Sequence, residues 1–195
     1  MSVSILIAAA GASSRMQGTD KLMLQIDGVP LLQRTVSRAV QAASDVVVAL
    51  PRNSTRKSCI ADQPIKIIEV DNPLRGMSVS LAVGAQAISP KNAIMILPAD
   101  MPDITTEDLD KIITEFQRAP RIVRGASQTG KAGHPVVFPN EFLPRFANLN
   151  GDQGARALFE GQSVDLVRLP NDHALTDLDT PEAWAAWRAR NGKHG

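Results

Sequence analysis

SILIAAAGASSRMQGTDKLML, residues 4–24, holds the reading of the fold. An apolar run ends at Gly11, small residues follow, and Arg15 and Lys21 stand apart before apolar character returns at Leu22. A buried strand that opens into a loop of small residues is how an α/β sheet begins when its first loop serves a ligand. The stretch Ala8–Ser14 offers successive backbone N–H groups with little bulk, so the main chain can approach phosphates closely. Arg15 adds a planar fork suited to phosphate oxygens and Lys21 a mobile point charge, a pair that suits a triphosphate. Solvated cations on an ordinary strand-to-loop turn are the competing reading, and the loop alone does not choose between them.

Working outward, short apolar runs recur at Val3–Ala10, Asp45–Leu50, Ile65–Val70, Ala93–Leu97, Arg121–Arg124, Val136–Phe138 and Val164–Leu169. Several are apolar throughout, as parallel strands covered on both faces are. Between them Leu31, Leu32, Thr35, Val36, Ala39, Val40 and Ala43 keep helical spacing, as do Met77, Leu81, Gly84, Ala85 and Ile88. Leu109, Ile112, Ile113 and Phe116 repeat it behind the helix-start signal Thr105-Thr106-Glu107-Asp108. This alternation predicts a Rossmann-like three-layer α/β sandwich with a mostly parallel twisted sheet, binding ligands at the carboxyl ends of its strands.

Bounds narrow the function. A chain of 195 residues that is 44% hydrophobic fills one core, so a single domain over 1–195 is expected. Lys plus Arg number 21 against 20 Asp plus Glu, which gives no global reason to bind nucleic acid or an anionic membrane. Cys59 is the only cysteine and no secretory leader precedes Ile5, so a reducing cytoplasm is the expected compartment. No apolar run approaches the roughly 20 residues that span a bilayer.

Two phosphate schemes fail on spacing. No G-x-x-x-x-G-K-[ST] string occurs, and Gly11 is followed by Ala12 and Ser13 rather than by the dinucleotide fingerprint. A second constellation, Leu97-Pro98-Ala99-Asp100-Met101-Pro102-Asp103, follows the run at 93–97. A carboxylate at a strand end between two prolines is well placed to hold Mg²⁺ against phosphate oxygens, which makes Asp100 the first metal candidate. Asp103 fits an Asx-type turn. In Thr176–Glu182, Asp179 and Thr180 read as caps for a helix starting at Pro181, leaving Asp177 as the second ligand.

Taken together these residues carry a resemblance. IAAAGASSRMQGTDKLML at 7–24 resembles the signature loop of nucleotidyltransferases that move NMP from an NTP onto a small acceptor. With GMSVSL at 76–81, PADMP at 98–102, GHPVVF at 133–138, GDQGAR at 151–156 and LTDLDTPE at 175–182, the chain resembles the molybdenum cofactor cytidylyltransferases, the CTP-using branch of the MobA-like NTP transferases. The resemblance implies a fold of nucleotide-diphospho-sugar transferase type. The activity it implies is attack by the terminal phosphate of molybdenum-molybdopterin on the α-phosphorus of CTP, releasing pyrophosphate. It further implies that Ala9, Ala10 and Gly11 line the nucleotide, that Arg15 and Lys21 contact the triphosphate, and that Asp100 and Asp177 position Mg²⁺. Gly76, Ser78 and Ser80 then lie on the nucleotide side, although the two serines also fit a helix N-terminus beside a buried Met77 and Leu81.

On the acceptor side the resemblance points to Gly133, His134, Pro135, Asp152 and Arg156, with His134 equally readable as a polar turn residue. Asp152 also reads as the cap of a helix carrying Leu158 and Phe159, and Arg156 as the partner of a neighbouring carboxylate. His173 and His194 show no site context, while Trp184 and Trp187 point to core packing. Ala10 in place of the Gly of guanylyl-transferring relatives adds a methyl group near the base and favours cytosine. Methylerythritol phosphate cytidylyltransferases share the opening but usually carry His-Asp-Ala-Ala-Arg-Pro where this chain has Leu97–Pro102. A GTP-using homologue and a non-catalytic cofactor-delivery protein complete the alternatives. The expected molecule is a monomer working on small substrates, with a molybdoenzyme or its maturation chaperone as recipient.

Overall fold

The computed structural model describes residues 1–71, 76–149 and 154–192. Numbered in chain order, seven strands form one sheet in the order β5 (Lys66–Val70), β4 (Val46–Pro51), β1 (Val3–Ala8), β6 (Ala93–Pro98), β8 (Ala132–Phe138), β7 (Ile122–Ala126) and β9 (Val164–Arg168). β1 runs parallel to β4 and β6, and β4 parallel to β5. Only β8 is reversed against its neighbours β6 and β7, and β9 returns to run parallel to β7. A separate hairpin, β2 (Gln25–Ile26) with β3 (Val29–Pro30), closes through Asp27 and Gly28, whose φ values of 51° and 78° are those of a tight hairpin turn.

Side chains of the central strands alternate between two apolar layers, which is why those runs are apolar at every position. Ile5, Ile7, Val46, Val48, Met95 and Leu97 face α1 (Leu31–Ala42), α3 (Thr106–Arg118) and α5 (Pro181–Asn191). Leu6, Val47, Ala49, Ile94 and Ile96 face α2 (Met77–Gln86) and the short α4 (Leu143–Phe146). α2 lies close to the sheet because of Gly84, where a Cβ would come within 2.3 Å of the Leu6 side chain. That approach brings the Gly76 end of α2 to the carboxyl edge of β1.

Helix boundaries follow their caps. Thr105 Oγ1 accepts from Asp108 N–H at 3.2 Å while the Asp108 carboxylate accepts from Thr105 N–H at 3.0 Å, a complete capping box for α3. At α5 the cap is Thr180, which accepts from Ala183 N–H at 3.2 Å with Pro181 in the first turn. Asp179, expected to share that task, turns into the cleft described below. Three further expectations are corrected. β8 begins at Ala132 rather than Val136, because residues 132–135 rejoin β7 beyond a register shift between Arg124 and Ala126. Gly133-His134-Pro135 is therefore strand, not turn. Met77 is exposed rather than buried, and Leu158 and Phe159 lie in a 3₁₀ turn, Arg156–Phe159, not an α-helix. Trp184 and Trp187 are buried as expected, and no described helix is long and apolar enough to cross a membrane.

Candidate active site

β4 and β6 flank β1 on opposite sides, so the chain reverses its winding direction there and leaves a crevice beyond the strand ends. A cleft of about 600 Å³ fills that crevice. Its walls are the loop after β1, the Gly76 end of α2, the turn after β6, the reversed β8 and the segment before α5. Reversal of β8 is what delivers its first residues, Ala132 to His134, to the edge where the parallel strands end.

The loop after β1 is held from below by Arg56, which is buried. Its guanidinium donates to the carbonyls of Ala9 at 2.5 Å and Gly11 at 2.9 Å, and makes a two-pronged contact with Asp20 at 2.7 and 2.9 Å. Asp20 also accepts from Leu22 N–H at 3.1 Å and so starts the 3₁₀ turn Lys21–Met23. With these carbonyls turned inward and satisfied, the loop keeps its cleft surface for other partners. Ser13, at φ 52°, Gln17, at φ 51°, and Gly18, at φ 87°, supply the left-handed bends. Gly11 differs: its φ is not positive and a Cβ there would meet nothing within 4 Å, so neither backbone nor packing requires glycine.

Lys21 reaches across the cleft floor, where its ammonium donates to Asp100 and, at 2.5 Å, to Asp179. Arg15 contacts the other Asp179 oxygen at 2.7 Å from the exposed rim. Asp100, Asp177 and Asp179, far apart in sequence, share this wall because Leu178 N–H donates to the Asp100 carbonyl at 3.0 Å. Burial pushes the Lys21 ammonium toward neutrality, but Asp100 and Asp179 outweigh it and hold its pKa above the ordinary lysine value. Burial also pulls the Asp179 carboxyl upward, and Lys21 with Arg15 reverses this to a value below the usual carboxylate range. At Asp177 the balance goes the other way: burial, then the charges of Asp179 and Asp100, outweigh Lys21 and hold its carboxyl above that range.

On the facing wall stand His134 and Arg124. Burial, then the charge of Arg124, pushes His134 down to about 4, so its ring is neutral near pH 7. Its Nδ1 is buried without a hydrogen-bond partner among the described residues. Arg124 donates to the Gly133 carbonyl at 2.6 Å and lies over the Phe159 ring at 5.2 Å. Burial and then the nearby Arg156 lower its pKa. Gly133 is glycine for a local reason, since a Cβ would stand 1.9 Å from the Ala174 carbonyl oxygen.

Of the residues singled out in the sequence, Ala9, Ala10, Gly11, Arg15, Lys21, Gly76, Ser80, Asp100, Gly133, His134 and Asp177 line the one cleft. Ser78 and Pro135 are buried behind it, and Arg156 stands off the wall, beside Arg124. Gly76 itself occupies the N-terminal position of α2 at φ 96°, so neither serine caps that helix. Asp152 and His194 lie outside the described residues. Sequence reasoning missed Arg56, Arg124 and the site role of Asp179. Arg56 was discoverable, since it follows the strand run ending at Leu50 and so belongs to the same sheet edge. Arg124 gave only a charged residue at the end of an apolar run.

The profile of the MobA-like NTP transferase domain matches residues 5–169. A molybdenum cofactor guanylyltransferase of Pseudomonas paraeruginosa is 31% identical over 189 residues, which cover 93% of this chain and 92% of that protein. The purine catabolism protein PucB of Bacillus subtilis is 25% identical over 190 residues, covering 90% of this chain and 91% of PucB. Among solved structures, the manganese complex of Rv0371c from Mycobacterium tuberculosis H37Rv shares the fold with a TM-score of 0.80 over 95% of this chain and 97% of its own, at 21% identity. A glycine-bearing loop and strand-end carboxylates around one cleft are thus found in a chain matched over most of its length, which belongs to the MobA-like NTP transferase domain family and is a nucleotidyltransferase.

Proposed function

We propose that the protein transfers CMP from CTP to the terminal phosphate of molybdenum-molybdopterin, giving the cytosine dinucleotide form of the cofactor and pyrophosphate. The observation that carries the reading is the gathering of Arg15, Lys21, Asp100 and Asp177 around a loop whose Gly11 has no structural need to be glycine. A bare glycine on a cleft wall suits close approach by a phosphate chain. An acceptor phosphate oxygen forms the new bond to the α-phosphorus as the bond to the β-phosphate oxygen breaks and pyrophosphate leaves. The acceptor is already an anion, so alignment and charge neutralisation supply the catalysis and no strong base is needed.

In this reading Arg15 meets the triphosphate at the rim, and Lys21 exchanges its carboxylate partners for phosphate oxygens. Arg124 and the neutral His134 face the acceptor. The residues present fit Mg²⁺ held in the usual way, by one or two carboxylates with phosphate oxygens and water completing its shell. Among the described residues no group of three or more acidic, histidine or cysteine side chains forms an all-protein metal site. Asp177, with its proton affinity raised first by burial and then by Asp179 and Asp100, marks a point where a divalent cation would relieve charge. Asp100 and Asp177 would hold the ion, which when bound neutralises charge on the transferred phosphoryl group. The manganese in the mycobacterial relative agrees with a divalent requirement.

Cytosine is favoured because Ala10 lines the cleft together with Gly76 and Ser80, and an alanine there in place of glycine leaves less room for a purine. The guanylyltransferase name of the Pseudomonas relative favours a second reading, with GTP as donor. Pyrophosphate release from CTP, GTP, ATP and UTP, measured with Mg²⁺ and molybdenum-loaded molybdopterin, separates the two. Release with CTP alone is expected. Release with GTP would overturn the base assignment, and no release with any nucleotide would overturn the acceptor.

A further inference from the structure

Behind the turn that carries Asp100 lies a second cavity, of about 500 Å³, which shares no lining residue with the cleft. Arg34 and Arg38, one turn apart on α1, and Arg188 on α5 all line it. Each guanidinium uses part of its fork on the protein. Arg34 reaches the Ile26 carbonyl at 3.4 Å and the exposed Asp27 at 3.3 Å, and its Nε is buried without a partner among the described residues. Arg38 donates through one nitrogen to the carbonyls of Pro102 at 2.6 Å and Ile104 at 2.7 Å. Arg188 lies over the Trp184 ring at 5.0 Å and makes one long contact, 3.5 Å, to the Gln25 carbonyl.

Among the described residues no carboxylate lies within ion-pair distance of Arg38 or Arg188. The lining holds two acidic side chains, neither of them in direct contact with Arg38 or Arg188. Asp103 is engaged by the Trp187 indole N–H at 2.7 Å, and Asp27 is on the Arg34 side. His173, also in the lining, is engaged by Asp108 at 2.7 Å. Burial, then the charge of Arg34, lowers the pKa of Arg38 despite the opposing charges of Asp103, Asp108 and Glu107. The remaining walls combine an apolar part, Ile26, Pro102 and the Trp187 ring, with the polar Gln25, Thr105 and Asn191.

We propose that this cavity is a second small-molecule site, for a phosphate monoester whose phosphate group sits between Arg34, Arg38 and Arg188 and whose flat apolar body rests on Ile26, Pro102 and Trp187. Guanidinium forks match phosphate oxygens in pairs, and the three arginines outnumber the two carboxylates of the lining, Asp27 and Asp103, so the cavity keeps a net positive charge. Inorganic phosphate should occupy the charged end, and a ring-bearing ester such as phenyl phosphate should bind more tightly. The site stands apart from the nucleotidyl-transfer reading and does not depend on it.

The chain has two tryptophans, Trp184 and Trp187, both on α5 and neither lining the cleft, so their fluorescence reports this cavity. Titration with inorganic phosphate and with phenyl phosphate is expected to give a saturable change, tighter for the ester, while sodium chloride at matched ionic strength gives none. The Arg34→Gln/Arg188→Gln double variant should stay folded, with its melting curve checked in parallel, because the hydrogen bonds of both residues to the protein are long and the Arg34 ion pair is with an exposed carboxylate, and it should bind phenyl phosphate at least about tenfold more weakly. Lys21→Ala should leave the titration unchanged. No saturable response beyond that of chloride, an affinity untouched by the double variant, or a response lost in Lys21→Ala would each overturn the proposal. Equal affinity for phosphate and its phenyl ester would overturn the ester assignment. Pyrophosphate release from CTP is a separate readout, so failure here leaves the donor and acceptor assignments standing.

Discussion

Gly11 and Gly133 both line the cleft, yet they are glycine for opposite reasons. A Cβ at Gly11 meets open space, whereas one at Gly133 would collide with the Ala174 carbonyl. Gly11→Ala is therefore expected to melt like the parent while the nucleotide KM rises at least about tenfold, since the new methyl group displaces the ligand rather than the protein. Gly133→Ala should lose more than about 3 kcal/mol in urea melts. His134 makes a prediction about acid. With its pKa near 4 in the fold against 6.5 for a free side chain, the unfolded chain takes up a proton first as pH falls. The stabilising contribution of the neutral ring is complete above pH 6.5, declines below it and is gone below pH 4, a span worth about 3 kcal/mol. In His134→Gln the stability profile should be flatter between those limits. An unchanged acid limb would show that His134 is not the group responsible.

At the scale of elements, the loop after β1 keeps its form because Arg56 ties it to the 3₁₀ turn Thr55–Cys59 beyond β4. Arg56→Met is expected to cost about 2–3 kcal/mol, as Asp20 loses its partner and two inward carbonyls lose their donors. It should also raise the nucleotide KM without any contact between residue 56 and nucleotide, and it should do so for every nucleotide alike. A KM effect confined to one base would place Arg56 in base selection. The periodicity of the sequence made the strands and the long helices legible, because burial on both faces leaves apolar runs and burial on one leaves a stripe. β8 was less legible at its start, where Gly133, His134 and Pro135 follow no alternation and pairing with β7 across a register shift decides the conformation. Asp179 was misread for a related reason. Position beside Thr180 and Pro181 suggested a cap, and only the tertiary arrangement shows that Thr180 alone satisfies the helix while Asp179 turns to Lys21.

For the whole molecule, sheet topology does what no local pattern reveals: it brings residues from near 10, 20, 76, 100, 134 and 178 to one edge. The loop and Asp100 were legible as cleft residues because strand ends mark that edge, and Asp177 because it had no capping task ahead of α5. Arg124 was not, because its place depends on β7 lying two strands from β6, across the reversed β8. The unliganded cleft carries its own counterion, Lys21, shared between Asp100 and Asp179. In the proposed reading a divalent ion at Asp100 and Asp177 competes with that ammonium for Asp100, and the ammonium gains new anions only when a triphosphate arrives. Substrate addition should therefore be ordered. In equilibrium dialysis, Mn²⁺ is expected to bind weakly to the protein alone and tightly with CTP, while Lys21→Ala should bind Mn²⁺ without nucleotide. Tight Mn²⁺ binding to the unmodified protein alone would contradict that order. In that reading a lysine that guards Asp100 until the donor comes would make the enzyme indifferent to cellular metal in the absence of nucleotide, and would set the sequence of events before any bond is made.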